Sequence, residues 1–148
     1  MGHSAAAKAG FSHAAAHGAV AALTVPADAP CVTRDELLGL IAASGAGTGP
    51  RVVLAPSRDG DGTNAVLAAP PDVFPPSFGP GSFARHLAAA EAQGLDCRVV
   101  ELPGLGMDID EPRDLLDLMA RKRGDPSYAF LWRESGPLSE ISAGAGQS

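Results

Sequence analysis

Three blocks of small and polar residues, each set where an apolar run gives way to a loop or a helix, constrain this chain more than any other feature. They read Gly60-Asp61-Gly62-Thr63-Asn64, then Phe78-Gly79-Pro80-Gly81-Ser82-Phe83-Ala84-Arg85-His86, then Met107-Asp108-Ile109-Asp110-Glu111-Pro112-Arg113-Asp114-Leu115. Core packing does not require such residues. Open α/β sheets hold their ligands where strands run out into loops, so the blocks predict a ligand-handling α/β protein.

The rest of the chain supplies the alternation that such a sheet needs. Residues 4–17 are dominated by alanine and stop at Gly18, which predicts an opening helix. A short apolar strand over 20–25 follows, and Pro26-Ala27-Asp28-Ala29-Pro30 leads away from it. Thr33-Arg34-Asp35-Glu36 has the spacing of a capping box, and Leu37, Leu38, Leu40 and Ile41 give the next helix an apolar face as far as Ser44. A strand over 51–55, a glycine-rich turn over 59–62 and an apolar segment over 65–69 come next. A helix from Ser82 to the stop at Gly94, a strand over 97–102, a short strand over 106–109 and a helix over 112–121 with proline in its first turn complete the pattern. It predicts an α/β domain over 1–122, with a mostly parallel sheet flanked by helices, and a flexible C-terminal tail over 123–148.

With 148 residues, 45% of them hydrophobic, the chain can bury a core. A formal net charge of −6 argues against a nucleic-acid partner, because such proteins gather Lys and Arg on one face. Arg121-Lys122-Arg123 reads as a solvated helix end. Cys31 and Cys97 have no CxxC or Cys/His spacing around them and read as free thiols in a reducing cytoplasm. No apolar run reaches the ~20 residues of a membrane span, so no membrane partner is expected and the expected location is cytoplasmic.

Asp28 lies where a carboxylate at a strand end faces the ligand crevice, as either a magnesium ligand or a turn Asp bonding its own backbone. Asp108 and Asp110 are two apart, so in an extended segment both point to one face. Asp110 also has the position of a helix cap, which favours Asp108 as the metal ligand. Gly62-Thr63-Asn64 offers backbone, hydroxyl and amide to a phosphate or carboxylate. Gly79 and Ser82 precede a helix whose positive end attracts an anion, with Ser82 also suited to capping it. Arg85 lies within reach of the same anion, whereas His86 reads as packing or surface. Carboxylates combined with anion-holding loops suit metal-assisted phosphoryl or nucleotidyl transfer.

At these residues the chain resembles the 2-phospho-L-lactate and phosphoenolpyruvate guanylyltransferases of coenzyme F-420 biosynthesis. The likeness spans residues 2–119, through Gly2-His3-Ser4-Ala5-Ala6, Val25-Pro26-Ala27-Asp28-Ala29-Pro30, Gly62-Thr63-Asn64-Ala65, the 78–86 block, and Asp108-Ile109-Asp110-Glu111-Pro112. Glu111 stands where the family usually has Thr. The resemblance implies a Rossmann-like nucleotidyltransferase fold of the MobA type, and transfer of GMP from GTP to the phosphate of a three-carbon acid with magnesium and release of diphosphate. By motif, Thr63, Gly79, Ser82 and Arg85 would hold phosphoenolpyruvate or 2-phospho-L-lactate, Asp28 and Asp108 would be catalytic, and Asp28, Asp108 and Asp110 would hold the metal. Relatives open with a strand and a basic loop containing Lys-Ser-Arg that grips GTP, and this sequence starts after it. The expectation is an N-terminally truncated fold; the alternatives are an inactive or complementing half that joins a partner half-domain, a homo-oligomer, or another MobA-like nucleotidyltransferase.

Overall fold

A computed structural model describes residues 2–132. They fall into two compact units, Met1–Asp108 and Ile109–Ser148.

In the first unit, helix α1 (His3–Ala16) opens the chain and ends before Gly18, whose φ of +76° suits glycine. Strand β1 (Ala22–Thr24) follows, then helix α2 (Arg34–Ala43). The predicted capping box is formed: the Glu36 amide donates to Thr33 Oγ1 at 3.2 Å and the Thr33 amide to Glu36 Oε2 at 2.9 Å. The expected apolar face of α2 is only half used. Leu40 is 0% exposed, while Leu38 and Ile41 stand 44% and 52% exposed.

Strands β2 (Arg51–Pro56) and β3 (Thr63–Ala69) form a hairpin, and helix α3 (Ser82–Ala92) leads into strand β4 (Asp96–Val99). The sheet order is β1-β3-β2-β4, with β3 antiparallel to both neighbours and β2 parallel to β4. Three strands therefore share one direction and β3 alone is reversed; because β3 lies inside the sheet, two of the three ladders are antiparallel, in place of the expected mostly parallel sheet. The reversal follows from the tight 57–62 turn, which can join only antiparallel neighbours. The expected 106–109 strand is absent: a turn over 103–106 breaks that segment, and no ladder partner among the described residues reaches it.

All of β3 is buried, and its alternate side chains enter two separate cores. Ala65, Leu67 and Ala69 join Val53, Ala55, Leu40 and Leu105 on one face. Val66 and Ala68 join Val52, Leu54, Phe11, Phe74 and Ala90 on the other. The sheet is thus covered by α2 on one side and by α1 and α3 on the other, the arrangement expected of the predicted α/β class.

The sheet's two edges differ. On β4, Arg98 pairs with Asp96 at 3.3 Å and donates to the Ala43 carbonyl at 2.9 Å, so charge blunts that edge. On β1 the residues are Ala22, Leu23 and Thr24, and that edge borders a groove of about 580 Å³ lined by Ala6, Gly10 and Ala14 of α1.

In the second unit, helix α4 (Pro112–Arg121) starts at the expected proline. The tail expected over 123–148 begins with a 3-10 helix, Pro126–Trp132, in which Leu131 is buried and Lys122 lies 5.0 Å from the Tyr128 ring. Residues 133–148 lie outside the described residues. No helix among the described residues is long and apolar enough to cross a membrane, and Cys31 and Cys97 are free thiols.

Candidate functional site

Strand direction sets the site. The pairings Thr24↔Val66, Pro56↔Thr63 and Leu54↔Val99 put the C-terminal ends of β1, β2 and β4 and the start of β3 at one end of the sheet. The 25–30 loop with Asp28, the 57–62 turn, Thr63 and the 100–108 segment with Asp108 therefore all leave from that end. It is the end where α/β sheets bind ligands.

Thr63 starts β3 and is 6% exposed; Ser82 and His86, on α3, are 1% and 2% exposed. A helix brings residues four apart onto one face, and both side chains meet Thr63. The Thr63 amide donates to Ser82 Oγ at 2.9 Å, and Thr63 Oγ1 lies 2.9 Å from His86 Nδ1. The far side of the ring, Nε2, accepts from the Ser77 amide at 2.8 Å. Burial, assisted by the Arg85 charge, pushes the His86 pKa down to about 4, so the ring is neutral near pH 7. Sequence reasoning treated His86 as packing or surface, although its i, i+4 spacing from Ser82 was a usable signal.

The helix cap also differs from the expectation for Ser82. Gly81 is the N-cap, at φ +65°, and Ser82 is the first helical residue, with its hydroxyl turned to Thr63. The amides at the helix start are engaged: Gly81 donates to Asp61 Oδ2 at 2.7 Å, Phe83 to the Asp61 carbonyl at 3.1 Å and Ser82 to the Gly79 carbonyl at 3.0 Å. Asp61 thus supplies a carboxylate at the positive end of the helix, a role not read from the sequence.

Gly79, at φ +114°, holds a conformation that favours glycine and leaves the loop without a Cβ at that point. Arg85 donates to the carbonyls of Pro80 and Ser77 and so braces the 77–81 loop. From the other side, the Phe78 amide donates to Ser4 Oγ at 2.9 Å and the Phe78 ring stacks on His3 with centroids 4.4 Å apart. The start of α1 is therefore part of the site's support.

Asn64 is buried and donates from Nδ2 to the Leu105 carbonyl at 2.9 Å, while the Arg58 amide donates to the Gly106 carbonyl at 3.2 Å. These bonds fix the segment that carries Asp108 against the β2–β3 hairpin. Asp108 is half-buried and Asp28 exposed. Asp110 lies in the second unit, exposed, with its amide donating to Asp114 Oδ2 at 3.2 Å. The shared strand face expected for Asp108 and Asp110 does not form, because the 106–109 strand is missing. Asp114 also accepts the Glu111 amide at 2.8 Å, so α4 is capped by Glu111 and Asp114 rather than by Asp110.

Among the described residues no group of three or more His, Cys, Asp and Glu side chains converges to hold a metal. Asp28 and Asp108 offer hard oxygen donors. That donor set fits magnesium, which is held by one or two carboxylates and takes its other ligands from water and phosphate.

Comparison with known proteins adds a family relationship. A family model described as guanylyl transferase CofC like matches residues 6–136. The chain is 43% identical over 120 residues to the phosphoenolpyruvate guanylyltransferase of Rubrobacter xylanophilus, covering 81% of this chain and 58% of that protein. It is 45% identical over 111 residues to the phosphoenolpyruvate guanylyltransferase of Sphaerobacter thermophilus, covering 74% and 51%. A shorter match, 50% over 66 residues and covering 45% and 34%, is to the 2-phospho-L-lactate guanylyltransferase of Methanopyrus kandleri. The chain spans about half the length of the curated relatives it matches. A crystal structure from Desulfovibrio desulfuricans, described as a nucleotide-diphospho-sugar transferase, superposes with a TM-score of 0.67 at 12% identity, covering 97% of this chain and 59% of that one.

Proposed function

The chain belongs to the CofC-like guanylyl transferase family, and from that premise we propose that it carries the acceptor and metal portion of an enzyme that transfers GMP from GTP to phosphoenolpyruvate or 2-phospho-L-lactate. The observation that supports this most is the gathering of two carboxylate-bearing loops and the Thr63–Ser82 pair at one end of the sheet. In this reading Thr63, Ser82 and the Cβ-free turn at Gly79 receive the anionic oxygens of the acceptor. Arg85 adds positive charge beside them. Asp28 and Asp108 hold magnesium, which when bound offsets the repulsion between two anions and the charge of the leaving diphosphate. The acceptor's phosphate oxygen forms the new bond to the α-phosphorus of GTP, the bond from that phosphorus to the β-phosphate oxygen breaks, and diphosphate departs. The chain's own contribution is positioning: the hydroxyls orient the acceptor, and the buried network behind them keeps them from turning away.

The test is diphosphate release from GTP, magnesium and either acceptor. It is run with the chain alone and with the chain extended at its N-terminus by the part of the Rubrobacter relative that this chain does not cover. Activity in the extended protein is expected to fall at least about a hundredfold in Asp108→Asn with the fold retained. No diphosphate from either form with either acceptor refutes the proposal.

A second reading is favoured by the uncharged β1 edge beside the α1 groove. An edge of this kind accepts a further strand, so the chain would work with a partner half-domain or a second copy. A chain that sediments as a monomer, and stays one when the relative's N-terminal segment is added, refutes it.

A further inference from the structure

The hydrogen-bond directions around His86 are fixed by elimination. The Ser77 amide can only donate, so Nε2 of His86 is the acceptor of that bond and carries no proton. A neutral imidazole has its single proton on the other nitrogen. Nδ1 therefore donates to Thr63 Oγ1, and the Thr63 hydroxyl is the acceptor of the 2.9 Å bond. The hydroxyl keeps one proton, and among the described residues its oxygen is bonded to His86 alone, with no acceptor for that proton. Thr63 is 6% exposed, so bulk water satisfies that proton poorly and an acceptor that reaches it is favoured.

We propose that His86 is a positioning residue that makes the Thr63 hydroxyl a one-way donor, and so selects a ligand presenting an oxygen acceptor, best an anionic one, rather than an ammonium or amide N–H at that point. The inference rests on the reading of Thr63 as an acceptor-binding residue. Its chemistry is that of a relay: the Ser77 amide sets the tautomer, the tautomer sets the hydroxyl, and the hydroxyl meets a carboxylate or phosphate oxygen. A ligand group that can only donate there, such as an ammonium, would put two donors face to face and leave a buried polar atom unmatched.

Two substitutions separate the halves of the relay. His86→Gln keeps an acceptor near the Nε2 position for Ser77 and loses the donor to Thr63. His86→Asn places an amide N–H near the Nδ1 position and loses the acceptor for Ser77; the 77–81 loop keeps its bonds to Arg85 and Ser4. The experiment is calorimetric titration of the full chain with phosphoenolpyruvate and with 2-phospho-L-lactate. It is paired with long-range ¹H–¹⁵N spectra of the His86 ring and a melting temperature for each variant.

We expect the Nδ1–H tautomer in the wild type. His86→Gln and Thr63→Val are expected to weaken phosphoenolpyruvate on the order of tenfold, as loss of a bond to a charged group does. His86→Asn should stay within about threefold of wild type, although it too gives up one buried hydrogen bond. An Nε2–H tautomer, or equal loss in the Gln and Asn variants while the wild type binds, overturns the positioning role alone. A wild type with the Nδ1–H tautomer that binds neither acid overturns the acceptor reading, and this inference with it.

Discussion

Lowering the pH should destabilise the fold through one imidazole. His86 is buried and its pKa is pushed from 6.5 to about 4, by burial first and the Arg85 charge second. The unfolded chain takes up a proton on this ring below about pH 6.5, whereas the folded chain resists doing so until about pH 4. The folded state binds fewer protons in that window. Its stability is thus fully present above pH 6.5, falls as the pH drops toward 4, and levels off below. The full gap, at about 1.4 kcal/mol for each pH unit, amounts to about 3.5 kcal/mol, of which about 3 kcal/mol is lost by pH 4. Against a typical domain stability of about 5–15 kcal/mol that is a large share. The assay is urea unfolding followed by circular dichroism at pH 7.5, 5.5 and 4.0, on the wild type and on His86→Gln. Every other titrating group is common to both proteins and cancels in the difference. The wild type should lose about 3 kcal/mol more than the variant between pH 7.5 and 4.0, with most of the loss already present at pH 4.5. Parallel pH profiles for the two proteins would refute the reasoning, because the ring would then titrate alike in both states.

Gly104→Ala should be among the most damaging small substitutions. A Cβ there would run into the Cys31 carbonyl and the Glu36 carboxylate, which accepts the Gly104 amide at 2.6 Å. The expected loss is about 3 kcal/mol, read as a drop in melting temperature, and an unchanged melting temperature would contradict the packing described. On α2, Leu40→Ala should cost about 3 kcal/mol and Ile41→Ala less than about 1 kcal/mol, since the first side chain is 0% and the second 52% exposed; urea midpoints measure both, and equal costs would mean that the exposed face of α2 is covered in solution.

The elements that the sequence made legible are those governed by near neighbours. Thr33 and Glu36 are three apart and declare the start of α2; Pro112 declares the start of α4; glycine at 60 and 62 declares the turn between β2 and β3. Strand direction was legible only in part: the 57–62 turn is too short for a crossover and requires an antiparallel neighbour, whereas nothing near β1 or β4 in sequence declares which strand each one pairs with. The site followed the same division. Loop chemistry singles out Thr63, Gly79 and Ser82 as candidates, but the bonds that hold them join residues far apart in sequence: Ser4 to Phe78, Asp61 to Gly81 and Thr63 to His86. Asp110 was placed beside Asp108 by assuming an extended segment. The turn over 103–106, held by Asn64 and Arg58 from the hairpin, overrides that local preference.

The reversed strand has a consequence for how the molecule assembles. β3 carries side chains of both cores, and its partner β2 is joined to it by a short turn, so closing the hairpin costs little loop entropy and seeds both layers together. β1 must close a far longer loop to reach its register, Ala22 against Ala68. The hairpin is therefore expected to acquire protection first and β1 last, an order that pulsed hydrogen exchange on the amides of Val53 and Leu23 would reverse if it were mistaken. The last strand to dock is the one whose outer edge has no ladder partner among the described residues, so any strand that joins there meets a sheet already built behind it.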